Sequence, residues 1–410
     1  LPQKKLKKTN NIFGISKNAV CPRGLRYFFY VDFGYHFFTM STHKQKLIKK
    51  NKIMKKDYLE LLQMIIEDHL PLEAFINFYG VDREAAEDEL ERLLPIAETY
   101  NSIVPKPIYF FKASEFPNLG HLFQCSKLFA FAKGGSPYKE FEMSEYDMRS
   151  EHPYIQAAVY DPERKVFVAG LRFLKQKSVP FHMSAMNSLF IPTDEFVRSF
   201  LPHSLEIGQT FILPDISSFA GNYLFSVMAT LLAINPDVRF LSGKPTIEGR
   251  IPDVSKEIIS AFAYDAFDPR ENSILNPCGK NLFSAVEGII IPQLRYLDDI
   301  VQQYNEEVTG LTQQYPLLHY EKTMSVQKKR KITAQLLVYY GGSLPPMFKF
   351  YSILTEEKGM ICPCTSVINP MYTTKAWEFP ILLDKFKIGS IHKKIIDHYL
   401  NYFKDKNVHY

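Results

Sequence analysis

Apolar and polar positions are most sharply patterned between residues 154 and 247. Tyr154 to Tyr160 reads as a strand and Asp161-Pro162-Glu163-Arg164-Lys165 as a hairpin turn. Val166 to Phe173 then returns as the next strand, carrying Gly170 and Arg172. Leu205 to Leu213 is a third strand, with Ile207, Phe211, Ile212 and Leu213 as its apolar positions and Pro214 as its stop. A Ser- and Gly-rich loop, Asp215 to Asn222, leads into Tyr223 to Ile234, which is apolar on most sides, as in a buried helix. Asn235-Pro236-Asp237 ends that helix. Val238 to Ile247 predicts one further strand. Strand, loop, helix and strand in this order form a parallel crossover, for which a right-handed connection is the rule. The class is therefore α/β. Glu206 is the one carboxylate inside the third strand, a costly place for a charge unless something uses it.

The flanks are less regular. Asp57 to about Ala97 is helical, with Tyr58, Leu61, Leu62 and Ile65 at helical spacing. A second segment follows Gly80-Val81-Asp82, with Asp82 as N-cap and an acidic face of Glu84, Glu87, Asp88, Glu89 and Glu91. This pair is expected as an appended helical hairpin over 57–104. Pro107 to Lys112 is a short strand, and Gly134-Gly135 is placed in a loop. After a helix over Val254 to Ala266, residues 268–331 read as a helical insertion outside the central sheet, with one helix over Leu294 to Thr309. Lys328-Lys329-Arg330-Lys331 reads as a solvated helix face and Gln335 to Tyr340 as extended. Leu344 to Leu354 reads as a helix with Pro in its first turn. Gly359 to Ile368 and Phe379 to Asp384 form a closing hairpin, and an amphipathic helix over Ile388 to Phe403 ends the pattern. The division expected is a basic leader at 1–56, the hairpin at 57–104, a core at 105–390 and the C-terminal helix at 391–410.

Composition changes the picture in two places. The 410 residues are 46% hydrophobic and 23% charged, which suits a folded chain with a large core. The net charge of +5 misleads, because residues 1–56 hold fourteen Lys and Arg against Asp32 alone. The remainder has 35 basic and 43 acidic residues, so the folded body is acidic and a nucleic-acid partner is not indicated. The leader lacks clean periodicity, and translation is expected to begin at Met40 or Met54. Its polybasic run Lys44 to Lys56 is by default a solvated tail, and otherwise a contact for anionic lipid headgroups. Five scattered cysteines argue for a reducing, cytoplasmic setting, with peripheral attachment at the inner face of the membrane as the variant of it. Cys362-Pro-Cys364 has no second pair to complete a zinc site, and no metal is expected.

Candidate chemistry is sparse. No phosphate-binding, dinucleotide, nucleophile-elbow or zinc-protease motif is present. What remains is Glu206, Arg172 in the preceding strand, and the acidic loop with Glu145 and Asp147. Four short motifs in order then resemble the GNAT superfamily: Glu145-Tyr-Asp147, Gly170-Leu-Arg172, Glu206-Ile-Gly-Gln209, and Leu344-Pro-Pro-Met-Phe-Lys-Phe-Tyr351. Within it the likeness is to the long-chain branch, the hemolysin-like N-acyltransferases of ornithine- and glycine-lipid type, related to acyl-homoserine lactone synthases. The resemblance implies a mixed, twisted sheet. It also implies transfer of a fatty acyl group from an acyl carrier protein or CoA thioester to the primary amine of an amino acid, in aminolipid synthesis. Glu206, Asp147 and Arg172 are then the catalytic candidates and Glu145 and Gln209 the acceptor-binding ones. Phe211, Leu213, Ser217, Gly221 and Asn222 are the candidates for the acyl donor. No permanently bound cofactor is implied. Arg172 with Asp147 reads equally as a fold-stabilising ion pair, and Glu206 as a buried structural acid.

Two departures stand out. Gln209 replaces the usual Arg beside Glu206. The pyrophosphate loop of CoA-using members is missing at 214–222, which favours a carrier protein as donor. The alternative of another class is a non-catalytic GNAT-like module that binds a carrier protein or a membrane surface. An open tunnel between 206–213 and 239–247, with Glu206 at its mouth, distinguishes the enzyme from that module, which would have a closed seam.

Overall fold

The computed structural model describes residues 58–404 and 406, except 101, 103, 136, 140, 142, 180–183, 217–219, 267–273, 278–288, 291–295, 312–313, 346–347, 349–350, 352–358 and 363–365. The basic leader, most of the Leu344 to Leu354 segment, and Cys21, Cys278 and Cys364 lie outside the described residues.

Three short helices open the described chain where a hairpin was expected: residues 58–66 (α1), Leu72–Phe78 (α2) and Arg83–Leu93 (α3). Asp82 caps α3 through the Ala85 amide, as its position predicts. Ala97–Glu98 (β1) and Pro107–Phe111 (β2) follow, and then Pro117–Gly134 (α4). The pattern did not reveal α4, and Gly134 closes it while Gly135 supplies the left-handed C-cap at φ 86°. Buried Glu89 of α3 accepts from the Leu119 amide at 2.8 Å, so one of the acidic residues caps the start of α4. Glu145–Met148 (α5) is a single turn. Ile155–Asp161 (β3) and Val166–Lys175 (β4) form the expected hairpin, and Phe190–Pro192 (β5) is a short outlying strand.

The central crossover is Ser204–Ile212 (β6), Ala220–Ile234 (α6) and Phe240–Gly243 (β7), and β6 and β7 are parallel. The expected strand 238–247 is in fact two. It breaks at Lys244-Pro245, and Thr246–Ile247 (β8) joins a different sheet. Proline has no amide proton for a ladder, so the break falls there. Asp253–Ala266 (α7), Leu275–Pro277 (β9), Ile289–Ile290 (β10) and Leu297–Val308 (α8) come next, so the insertion is not purely helical. Val326–Tyr339 (α9) absorbs the segment 335–339 read as extended. Within it Lys329 is buried and pairs with Asp265 at 3.0 Å, contrary to a wholly solvated face. Met360–Ile361 (β11), Val367–Ile368 (β12), Trp377–Glu378 (β13), Ile381–Asp384 (β14) and the helix Ser390–Phe403 (α10) complete the chain.

Eight strands form one mixed sheet in the order β1-β2-β3-β4-β6-β7-β14-β11, and β10-β12-β13-β8 form a second. The α/β class and the mixed sheet are as expected. The insertion strands stay out of the large sheet, and the closing hairpin is divided between the two sheets. Helix α4 packs on β4 and β6, and α6 on β3 and β4 with α10 against it. A Cβ on Gly170 would lie 2.8 Å from the Phe123 ring of α4, so glycine is what lets this helix sit so close to β4.

Candidate active site

A cavity opens where β6 and β7 part. The two strands are paired only from Ser204 with Phe240 to Ile207 with Gly243. Beyond that point β6 runs on and the segment after β7 turns away into β8. A bulge in β6 goes with the parting. On the β4 side Gly170 faces Phe211 and Arg172 faces Gly208, so Gln209 and Thr210 stand opposite Leu171 alone. Gln209 has φ +49°, a left-handed conformation that costs a residue with a side chain about 1 kcal/mol or more. At the last paired position a Cβ on Gly243 would lie 2.9 Å from the Ile207 carbonyl oxygen, so the strands meet closely before they diverge.

The cavity has a volume of about 180 Å³. Glu206, Gly208, Gln209 and Thr210 of β6 line one side, and Lys244, Thr246 and Glu248 the other. Arg172, Tyr138, Tyr372 and Glu378 also reach it. Three polar groupings make up the walls.

The first is centred on Glu206, which is 2% exposed. Its carboxylate accepts from Gln176 Nε2 at 3.0 Å, from the Ser184 hydroxyl at 2.5 Å and from the Met186 amide at 3.0 Å. Those donors belong to the segment after β4, so Glu206 ties that segment to β6.

The second grouping is Arg172 with Asp147. Arg172 Nη1 lies 2.8 Å from Asp147 Oδ2 and 2.6 Å from the Ser144 hydroxyl. The guanidinium is 4.5 Å from the centre of the Tyr154 ring. Gln156 Nε2 donates to the other Asp147 oxygen at 3.0 Å. Burial pushes the Asp147 carboxyl up, but Arg172 and Lys127 outweigh it and hold the group below its ordinary value. Arg172 is held above its ordinary value against its own burial by the same partner. Its Nε has no hydrogen-bond partner.

The third grouping, apart from Gln209, escaped the sequence reading. Lys127 of α4 is 2% exposed and donates to Gln209 Oε1 at 2.5 Å. Burial lowers its pKa to about 7, with Asp147 opposing and Arg172 reinforcing the shift. Thus a lysine from another element stands beside the position where the resemblance implies Arg. The Tyr138 ring lies against that of Tyr372, with centres 4.6 Å apart. Tyr372 in turn donates to Glu378 Oε1 at 3.1 Å. Burial raises the pKa of Tyr138 to about 12 and carries Tyr372 well above its ordinary value, so both remain protonated. Lys244 Nζ is 3.3 Å from Glu378 Oε2, near enough for an ion pair, yet that oxygen receives no hydrogen bond.

The cavity thus brings together Glu206, Arg172 and Gln209, with Asp147 behind Arg172. Glu145 is exposed on α5. Phe211 and Leu213 lie in the core, with the Phe211 ring edge-on to Phe123 at 5.1 Å, and neither lines the cavity. Ser217 is outside the described residues, Gly221 and Asn222 stand in the first turn of α6, and Asn222 does not line the cavity. Among the described residues no group of His, Cys, Asp or Glu is placed to hold a metal ion. No helix among them is long and apolar enough to cross a membrane.

No protein-family model matches the chain. Two curated relatives are similar to it over 181 residues, 41% of its length. A glycine N(alpha)-acyltransferase of Bacteroides thetaiotaomicron is 27% identical, with 53% of its own length covered. A protein of the same name from Phocaeicola vulgatus is 26% identical, with 55% covered. The chain therefore spans about half the length of the curated relatives it matches. These relatives support an acyltransferase family. Among solved structures, a CoA-dependent acyl-homoserine lactone synthase, with SAM and isopentyl-CoA, aligns over 36% of this chain and 67% of its own. It is 12% identical with a TM-score of 0.24, too slight a likeness to bear on fold or function.

Proposed function

We propose that the protein is a GNAT-type N-acyltransferase. It moves a fatty acyl group from a thioester to the primary amine of a small amino acid, glycine being the first choice from the relatives' name. The observation that carries this reading is the parting of β6 and β7 over a cavity with charged walls. A strand edge freed of its neighbour leaves backbone groups that can pair with the amides of a pantetheine arm. The thioester then lies at the foot of the opening, beside Glu206 and Gly208. An open cavity of this kind supports an enzyme over a purely binding module.

In this reading Arg172 and Asp147 form the fixed charged floor of the site. Glu206 acts by position, because its oxygens already hold three donors. It fixes the segment at Ser184 to Met186 against β6, beside the reacting atoms. The donor is an acyl carrier protein or CoA, and the product is an acylated amino acid on the way to an aminolipid. Peripheral contact through Lys44 to Lys56 belongs to the same proposal. The test is an acyl-transfer assay with a panel of amino acids against both donor types. Formation of an N-acyl amino acid is expected. Donor binding with no amide product from any acceptor would favour the binding module instead.

A further inference from the structure

We propose that Glu378 and Lys244 are the acceptor site, reading a small α-amino acid as a zwitterion: Glu378 takes its ammonium group and then its proton, and Lys244 takes its carboxylate. The proposal rests on the acyltransferase reading and adds to it the residues that choose the acceptor.

Four observations converge. Both residues line the cavity. Glu378 is 3% exposed, and its Oε2 is a buried carboxylate oxygen with no hydrogen bond. It faces the Lys244 ammonium at 3.3 Å but takes no hydrogen bond from it, and a buried acceptor left short of a hydrogen bond at a cavity wall points to a ligand donor. Its Oε1 is fixed by Tyr372 at 3.1 Å and Thr246 at 3.4 Å, which sets the direction of Oε2. Lys244 Nζ is only loosely engaged, 3.3 Å from Glu378 Oε2 and 3.3 Å from the Ser188 hydroxyl. A zwitterion set beside this pair completes a ring of alternating charge: Lys244, Glu378, ammonium, carboxylate, and back to Lys244. No charge in that ring lacks an opposite neighbour. Glu206 offers less capacity, since three donors already occupy it. The cavity of about 180 Å³ must also admit the thioester, which favours an acceptor with little or no side chain.

The chemistry balances without any further reagent. Glu378 accepts one proton from the ammonium group and frees the amine's electron pair. The amine nitrogen attacks the thioester carbonyl, so a C–N bond forms and the C–S bond breaks. The second nitrogen proton goes to the departing thiolate, and Glu378 later gives its proton to water.

The test compares glycine with glycinamide, which keeps the amine and lacks the carboxylate, using hexadecanoyl thioesters of CoA and of acyl carrier protein. Lys244→Met should raise KM for glycine by about 10- to 150-fold, the range for a lost charge-assisted hydrogen bond. It should leave kcat/KM for glycinamide within about threefold. Glu378→Gln should lower kcat with both acceptors by at least ~10²-fold. Equal loss for glycine and glycinamide in Lys244→Met, or an unchanged kcat in Glu378→Gln, overturns the assignment. So does a drop in thermal midpoint that accounts for the loss. Should the wild-type protein acylate no amine, the functional reading fails, and calorimetric titration with glycine decides the site separately. Glycine binding that is lost in Lys244→Met upholds it, and binding that is absent or unaltered overturns it.

Discussion

Lys127 makes the stability of this protein depend on pH in a predictable direction. Its ammonium group sits in the interior, and burial lowers its pKa from 10.5 to about 7. In the unfolded chain the same group keeps its ordinary value. Below about pH 7 both states carry the proton and no slope arises from this residue. Between that point and 10.5 the unfolded chain holds a proton that the folded chain has lost. Stability must then rise with pH, by about 1.4 kcal/mol for each pH unit. From pH 8 to pH 9.5 the gain is about 2 kcal/mol. Lys127→Met keeps most of the stem and removes the titration. Urea unfolding of the wild type and the variant at pH 7, 8, 9 and 9.5 isolates the term as a difference in slope, since other groups titrate in both. Asp147 does not interfere, because its carboxyl is held below its ordinary value and its contribution is lost only in acid. Parallel stability curves for the two proteins would refute the buried, half-neutral lysine.

Three further outcomes follow from the site. Glu206→Gln places an amide nitrogen among donors, one of which is the Met186 amide, and should cost about 1–3 kcal/mol in denaturant unfolding; unchanged stability would contradict the bonding described. Gly208→Leu should fill the cavity, since a Cβ there has only Arg172 Nε within reach, at 3.7 Å; turnover should fall at least ~10²-fold with a retained thermal midpoint, and normal turnover would place the reaction elsewhere. Gln209→Gly should relieve about 1 kcal/mol of backbone strain at φ +49° while Lys127 loses its partner, so the net change in stability should be small and the pH slope altered, as read by the same unfolding series.

The sequence made some of this legible and hid the rest for physical reasons. The β3–β4 hairpin and the β6–α6–β7 crossover show clear alternation, turn residues and stops, and they fall where expected except that the last strand stops at Gly243. Helix α4 was invisible because it is buried on nearly every side, with Gln124, Ser126 and Lys127 inside along with its apolar residues. An amphipathic stripe never forms, so helical periodicity gives no signal. The same burial concealed Lys127, and Lys329 was misread because a run of basic residues resembles a solvated face. Glu206, Arg172 and Asp147 could be named because they sit on patterned strands or in a short motif. Glu378 and Lys244 could not, since β13 has two residues and Lys244 lies in the break between β7 and β8. Their meeting, like that of Tyr138 and Tyr372, depends on the second sheet, whose strands have only two residues each.

Amide formation from a thioester is assigned to the opening between the parted strands β6 and β7. The most direct test is mass spectrometric detection of product from glycine and hexadecanoyl thioesters of CoA and acyl carrier protein, with the wild type and Gly208→Leu side by side. N-hexadecanoylglycine is expected from the wild type with at least one donor, and at least ~10²-fold less from a folded Gly208→Leu protein. Equal product from both proteins, or none from the wild type with either donor, would contradict it.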